Sequence, residues 1–271
     1  MTFNPYKNVK KIYYLLRLDV VYACLSFDIY NLLNFFSYFS TKNKELFEIG
    51  VAPRSLKPQV YMVAATEDYI MKFLPNTLKK MKANGSLINT DIVVGLISGL
   101  NSQTETTSQL SKNFPEVEFV EIKCNFFEIS SSFNCARFFL AQKALKYNAE
   151  CNILITDIDV EVNTCLDTIF KKHKNWNAIK TRRGRDTRFF CYAGCLLLCH
   201  NNKREFLDDL CDRIQRRFFS RNWYTDQVSL WFSYKAFRNS FQVLSENSFS
   251  VEFSDAILFA YKGKSKYLKK S

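Results

Sequence analysis

The sequence is poor in the residues that build common metal and redox sites. Its 271 residues include two histidines, His173 and His200, and none of the nine cysteines forms a C-x-x-C pair. These counts argue against structural zinc and against a disulfide framework. A reducing cytoplasm therefore fits better than secretion. Cys191, Cys195 and Cys199 recur at every fourth position in apolar surroundings, which favours small buried side chains over metal ligands.

Long hydrophobic runs are also missing. No stretch of about 20 uncharged apolar residues occurs, which argues against a membrane-spanning helix. Residues 10–39 are apolar and aromatic, but Arg17, Asp19 and Asp28 interrupt them. We interpret this segment as one or two amphipathic helices rather than a signal peptide. Packing on the rest of the protein is the favoured role, and peripheral membrane contact is the alternative.

Acidic residues are outnumbered: 38 Lys and Arg face 26 Asp and Glu, for a net charge of +12. This excess predicts an anionic partner such as a nucleotide, nucleic acid, lipid headgroup or acidic glycan. A nucleic-acid-binding module is disfavoured, because the aromatic residues lie mostly in apolar runs rather than interleaved with Lys and Arg. The hydrophobic content of 47% is enough for a sizeable core.

The chain divides into two parts near Pro53 and Pro58, which bracket a predicted linker. We predict an N-terminal helical appendage over residues 1–57 and one larger domain over residues 58–271. In that domain, strand patterns alternate with helix patterns, which predicts an α/β fold with a parallel, doubly wound sheet. The predicted strands cover 60–65, 91–96, 117–122, the apolar run from 151, 178–180 and 192–199. The predicted helices cover 68–81, a segment ending near Leu110, 133–147, 204–218 and 223–237.

The strongest chemical signal is a pair of aspartates, Asp157 and Asp159, at the end of the apolar run that begins at Cys151. Ligands of open α/β sheets bind at the carboxyl ends of such strands. Two carboxylates there suit Mg²⁺ or Mn²⁺, which typically bridges protein carboxylates to substrate phosphates. The pair therefore suggests a diphosphate-bearing substrate. The alternative is that Asp159 only begins a turn.

Five short segments, spread over about residues 58–268, form a recognisable series. They are Ala136-Arg137-Phe138-Phe139-Leu140, Thr156-Asp157-Ile158-Asp159, Tyr192-Ala193-Gly194, the run from Trp223 to Leu230, and the run from Ala260 to Lys266. Taken in this order they resemble the GT-A glycosyltransferases, and in particular glycosyltransferase family 8 and related nucleotide-diphospho-sugar transferases, with the second segment similar to the DxD signature. The resemblance implies a mixed, mainly parallel, Rossmann-like sheet flanked by helices.

The resemblance implies a nucleoside diphosphate sugar donor, an unidentified acceptor and a role for each matched residue. Asp157 and Asp159 would hold Mn²⁺ or Mg²⁺ and the donor diphosphate. Arg137 would approach the nucleotide. The remaining implied roles are catalysis beside the reacting sugar carbon for Asp226 and Gln227, and phosphate binding for Gly263 and Lys266.

Other roles are open for the same residues. Arg137 could pair with the aspartates instead, or form a helix-surface ion pair of little consequence. Thr225 or Asp226 could be the N-cap of a helix, and the lysines could belong to a solvated basic tail. A basic loop could bind an acidic acceptor, the diphosphate or no specific ligand; it contains Arg182, Arg183, Arg185 and Arg188.

Two departures from the family pattern bear on this expectation. Ala260 stands where the family has a metal-binding His, so the ion would lose a protein ligand. Tyr192 stands where the family has Asn, which leaves the donor sugar open. A catalytically degenerate fold and a basic nucleic-acid-binding protein are therefore kept as alternatives. Nucleotidyl transfer is disfavoured, because the segment 64–67 after the first strand is no Gly-rich triphosphate loop.

Overall fold

The computed structural model describes residues 45–52, 56–98, 105–125, 130–181, 191–217 and 225–260. Within these ranges the chain forms strands and helices in alternation. The strands are β1 (Phe47–Ile49), β2 (Gln59–Ala65), β3 (Thr90–Ser98), β4 (Val117–Cys124), β5 (Asn152–Thr156), β6 (Val160–Val162), β7 (Asn177–Thr181), β8 (Cys191–Leu198), β9 (Phe241–Val243), β10 (Phe249–Ser250) and β11 (Leu258–Ala260). The α-helices are α1 (Glu67–Ala83), α2 (Glu105–Asn113), α3 (Ser130–Tyr147), α4 (Asp167–Lys172), α5 (Lys203–Arg217) and α6 (Thr225–Ala236).

Eight strands form one mixed sheet in the order β1-β4-β3-β2-β5-β8-β7-β9. Strands β2, β3, β4 and β5 are parallel to one another, whereas β8 runs antiparallel to both of its neighbours. The reversal follows from chain length, since β7 ends at Thr181 and β8 begins at Cys191, which leaves too little chain for a parallel crossover. The α/β class and the mixed, mainly parallel sheet are thus as expected.

Helices cover both faces of this sheet. Helices α3, α5 and α6 bury one apolar cluster against it, which includes Phe138, Leu140 and Phe206. Helices α1, α2 and α4 bury a second cluster on the opposite face, which includes Leu74, Leu110 and Phe170. The near-continuous burial of β3 and β8 is typical of strands covered on both faces.

A small second sheet, in the order β10-β11-β6, lies on the α1 side. Its strand β6 begins directly after Asp159. Glu161 of β6 accepts hydrogen bonds from Lys80 Nζ (2.5 Å) and Asn76 Nδ2 (3.1 Å) of α1. Lys80 Nζ also donates to Asn163 Oδ1 at 2.7 Å. These bonds tie the chain after the aspartates to α1.

The strands and helices predicted between residues 60 and 237 agree with the structure to within three residues at each end. The short strands β1, β6, β9, β10 and β11 and the short helix α4 were not predicted, because segments of two to six residues carry little periodicity. Strand β1 falls inside the predicted appendage and pairs antiparallel with β4. The helices predicted over 10–39 lie outside the described residues, and the division at residue 57 stays a prediction.

Among the described residues, none of the helices is long and apolar enough to cross a membrane.

Candidate active site

The strand order reverses at β2, and we call the end of the sheet at the carboxyl ends of β2 and β5 the crevice. From β2 the chain moves outward through β3 and β4, and then returns to place β5 on the other side of β2. Ligands of open α/β sheets bind where the strand order reverses in this way. Asp157 follows the last residue of β5 and therefore lies at this crevice. The prediction that the aspartates lie at a carboxyl strand end is confirmed.

Arg137 is the centre of a buried charge cluster at the crevice. It lies on α3 between apolar residues that pack into the core, so its side chain is only 3% exposed. Its Nη1 lies 2.6 Å from Asp157 Oδ1, and its Nη2 lies 3.7 Å from Asp226 Oδ2. The same Nη2 donates to the Ala193 carbonyl at 3.0 Å. A buried guanidinium needs such partners, so the alternative of an inconsequential surface ion pair is wrong.

Asp226 lies in the first turn of α6 and is 8% exposed. Its Oδ1 accepts a hydrogen bond from the Gln227 backbone N–H at 2.7 Å, and the helix N-terminus favours a negative charge at this place. Burial nevertheless raises the pKa of Asp226 to about 6; the Asp157 charge adds to this rise, and Arg137 opposes it. Asp226 can therefore change its protonation state near neutral pH.

A register shift in β8 supplies the backbone of the site. Ile179 of β7 pairs with Leu196, whereas the next residue, Lys180, pairs with Tyr192, so Ala193, Gly194 and Cys195 have no paired residue on β7. Within this bulge the Ala193 carbonyl accepts from Arg137, and the Gly194 carbonyl accepts from the Asp157 N–H at 3.2 Å. Bulges beside active sites commonly redirect the chain in this manner.

Gly194 is required by close packing. A Cβ at this position would lie 2.6 Å from Asp157 Oδ2 and closer still to the Tyr192 ring. The Tyr192 ring and the Asp157 carboxylate are thus neighbours over Gly194. The ring also packs on Phe249 of β10, with a centroid distance of 5.2 Å. Tyr192 therefore lies between Asp157 and Phe249 at this end of the sheet.

Beneath the aspartates lies a buried hydroxyl pair that the sequence analysis missed. Thr156 Oγ1 donates to Tyr61 Oη at 2.8 Å, and both residues are almost fully buried. Burial is the main cause of a strongly raised Tyr61 pKa, to which the charges of Asp157 and Asp159 add. Because Thr156 directly precedes Asp157, the hydroxyl pair lies at the base of the aspartate segment. A Tyr in an apolar strand gave no signal of this role.

The carboxylates are chemically suited to a divalent ion but do not enclose one by themselves. In the part of the chain that the structure describes, no group of three His, Cys, Asp or Glu side chains is arranged to hold a metal. Asp157 is 30% exposed, and its Oδ2 is outside the 2.6 Å contact with Arg137, whereas Asp159 is buried. Two hard donors fit an ion whose remaining ligands are substrate phosphates and water.

The structure brings several of the predicted site residues together, and others lie outside the described residues. Arg137, Asp157 and Asp226 are brought together, and Gln227 follows directly on α6 with a buried Oε1 that has no donor among the described residues. Ala260 ends β11 as a buried residue. Gly263, Lys266 and the four arginines of the basic loop lie outside the described residues.

Comparison with solved structures identifies the fold. The chain matches the glycosyltransferase GlyE of Streptococcus pneumoniae TIGR4 with 18% identity and a TM-score of 0.51, over 80% of this chain and 57% of GlyE. It matches a glycosyltransferase involved in glycosylation of the major capsid of PBCV-1 with 9% identity and a TM-score of 0.52, over 77% of this chain and 94% of the other. The chain has the fold of the GT-A glycosyltransferases.

This GT-A fold also appears in the bifunctional glycosyltransferase WbbM, which matches with 14% identity and a TM-score of 0.51, over 79% of this chain and 47% of WbbM. The chain thus spans little more than half of GlyE and less than half of WbbM. No protein-family model and no curated protein sequence matches the chain. At these identities the likeness describes the fold alone.

Proposed function

We propose that this protein is a glycosyltransferase that moves a sugar from a nucleoside diphosphate sugar donor to an acceptor, with Asp157 and Asp159 at the donor diphosphate. The observation that carries the proposal is the Arg137 cluster. Within a GT-A fold, Arg137 joins Asp157 from the end of β5 to Asp226 from the start of α6, at the crevice where α/β sheets bind ligands.

The proposed chemistry uses Asp226 and Gln227 at the transferred sugar. With a pKa of about 6, Asp226 is mostly ionised at neutral pH. In this form it accepts a proton from an acceptor hydroxyl or stabilises positive charge that develops on the sugar. The buried Gln227 Oε1, which lacks a donor within the described part of the chain, accepts a hydrogen bond from a sugar hydroxyl.

Asp157 and Asp159 are the proposed ligands of a bound Mn²⁺ or Mg²⁺. When bound, such an ion neutralises charge that develops on the leaving diphosphate. Arg137 fixes the Asp157 carboxylate through Oδ1, and Gly194 and Tyr192 border Oδ2. Gly263 and Lys266 are proposed to meet the phosphates, the latter as a point charge.

A donor-binding protein without transfer activity is the second candidate. It is favoured by Ala260, whose methyl side chain cannot ligate a metal, and by the absence of a three-ligand cluster among the described residues. In that case the crevice would bind a nucleotide sugar and leave it intact.

Release of nucleoside diphosphate from a panel of nucleotide sugars, with and without MnCl₂ and candidate acceptors, separates these candidates. We expect release with one donor, and a fall of about 10²-fold or more in Asp226→Asn with nucleotide affinity retained. Binding without release of nucleoside diphosphate from any donor would favour the second candidate. Neither binding nor release in a folded sample would refute both.

A further inference from the structure

An ion pair beside the crevice joins a mostly covered lysine to a more exposed glutamate. Lys180, near the end of β7, places Nζ 2.5 Å from Glu246 Oε1, and the two side chains are 13% and 54% exposed respectively. Glu246 belongs to the segment between β9 and β10, where its Oε2 accepts a hydrogen bond from Ser250 Oγ at 3.3 Å. The Lys180 side chain is therefore much less exposed to water than the Glu246 side chain.

Because of this unequal burial, Glu246 can leave the ion pair more easily than Lys180 can. Glu246 can turn fully into water at little cost, because most of its side chain is already hydrated. The Lys180 side chain is less hydrated, so loss of the neighbouring anion is less easily compensated by water at Lys180 than at Glu246. An anion that enters from solvent can therefore exchange with Glu246.

The position of Lys180 connects this ion pair to the crevice. Because of the bulge in β8, Lys180 is the cross-strand neighbour of Tyr192, whose ring lies beside Asp157 Oδ2. The segment that carries Glu246 continues into Phe249, which packs on the other side of the same ring. Lys180, Tyr192 and Asp157 thus follow one another along one edge of the sheet.

The surrounding charges agree with this placement. Burial raises the pKa of the Cys195 thiol, the Asp157 charge adds to the rise, and Lys180 and Arg137 oppose it. Cys195 belongs to the bulge of β8 and, like Tyr192, packs on the α1 side of the sheet. A ligand that lies along Tyr192 would meet Asp157 at one end and Lys180 at the other.

We propose that Lys180 forms an anion subsite. A carboxylate or phosphate on the transferred sugar or on the acceptor binds to Lys180 in place of Glu246. The proposal deepens the proposed function, and rests on it for the identity of the crevice as a ligand site. The anion belongs to the transferred sugar or to the acceptor. It is distinct from the donor diphosphate, which is assigned to Asp157 and Asp159.

Binding measurements with matched neutral and acidic probes show whether the anion comes from the transferred sugar or from the acceptor. The donor arm compares uridine diphosphate glucose with uridine diphosphate glucuronate, which differ in one carboxylate. The acceptor arm compares glucose with glucuronate and glucose 6-phosphate, with uridine diphosphate present. We expect about tenfold tighter binding of the acidic probe in one arm, equivalent to about one charge-assisted contact. Lys180→Met should abolish this preference.

Glu246→Gln is the decisive variant, because it should increase affinity. Removal of the competing carboxylate should tighten binding of the acidic probe about threefold or more and leave the neutral probe unchanged. A purely structural ion pair would give no gain. Asp212→Asn, which removes the partner of the exposed Arg216, is the matched control and should change neither affinity.

The outcomes separate this proposal from the function on which it rests. Equal binding of acidic and neutral probes in both arms, or unchanged acid binding in Glu246→Gln, would overturn the anion subsite. If no nucleotide binds while an acidic acceptor probe still binds through Lys180, the transferase proposal fails and the subsite stands. Because Glu246→Gln removes the carboxylate that pairs with Lys180, thermal unfolding must first show that this variant is folded at the titration temperature.

Discussion

Arg137 Nη1 lies 2.6 Å from Asp157 Oδ1, in an ion pair that joins a residue of α3 to the residue after β5. With Asp226 on the other side, one buried cation stands between two carboxylates. Arg137 fixes the Asp157 carboxylate, and its positive charge opposes the rise in the Asp226 pKa that burial causes. The same cluster therefore stabilises the fold at the crevice and determines the charge there.

Arg137→Met should be strongly destabilising. It leaves Asp157 and Asp226 without their shared cation, and loss of one partner from a buried ion pair typically costs about 3–5 kcal/mol. Urea unfolding at pH 7 would measure the change in the free energy of unfolding. Arg216→Met, which breaks an exposed pair in α5, should cost less than about 0.5 kcal/mol. Equal losses of unfolding free energy in Arg137→Met and Arg216→Met would show that Arg137 is not part of a buried ion-pair cluster.

Asp226 should make stability depend on pH. Its pKa is about 6 in the folded protein against an ordinary value of 3.8, so the folded state holds the proton more tightly. The resulting stabilisation is complete below about pH 4 and is lost as pH rises through about 6. The pKa difference of about two units corresponds to a stabilisation of about 3 kcal/mol at low pH.

The difference in unfolding free energy between wild type and Asp226→Asn, measured from pH 3.5 to 7.5, isolates this contribution. Asn cannot titrate, so wild type should lose about 3 kcal/mol relative to the variant as the pH rises across this range. Asp212→Asn, at an exposed position, is the control for the substitution itself. A flat difference curve for Asp226→Asn would show that its pKa is ordinary.

Gly194→Ala should disturb the site directly. The new Cβ would overlap Asp157 Oδ2 and the Tyr192 ring, so one or both must move, at a cost of about 1–3 kcal/mol. We expect weaker nucleotide-sugar binding in calorimetry. Gly85→Ala, at a φ of 78° after α1, should cost stability for backbone reasons and leave ligand binding unchanged. Normal binding by Gly194→Ala would argue against close packing at this position.

Tyr61→Phe should cost about 1–3 kcal/mol, because it leaves the buried Thr156 hydroxyl without its acceptor. The aromatic ring is retained, so core packing is little changed. Thermal unfolding would report the loss as a lower Tm. Tyr147→Phe, at an exposed position at the end of α3, is the control and should be neutral. A neutral Tyr61→Phe would mean that the Thr156 hydroxyl finds another partner.

Much of the fold was predictable, because long strands and helices carry clear periodic patterns. The position of Asp157 after a buried strand followed from the same patterns, whereas pairing of Arg137 with the aspartates was only one of the roles that the sequence left open. The bulge in β8 and the contact of Lys180 with Glu246 did not, because both depend on which residues meet across strands and turns distant in sequence. Local patterns do not encode such pairings.

Calorimetric titration with nucleoside diphosphates and their sugars, with and without Mn²⁺, tests whether Asp157 and Asp159 form a donor site. The wild-type protein is compared with Asp157→Asn/Asp159→Asn, which keeps side-chain volume. Because Asp157→Asn removes the closest carboxylate of Arg137, the double variant is less stable and is titrated at a temperature at which circular dichroism shows it folded. We expect metal-enhanced binding of one nucleotide that is lost in the double variant. Absence of nucleotide binding by folded wild type, or binding unchanged in the double variant, would contradict a donor site at these aspartates.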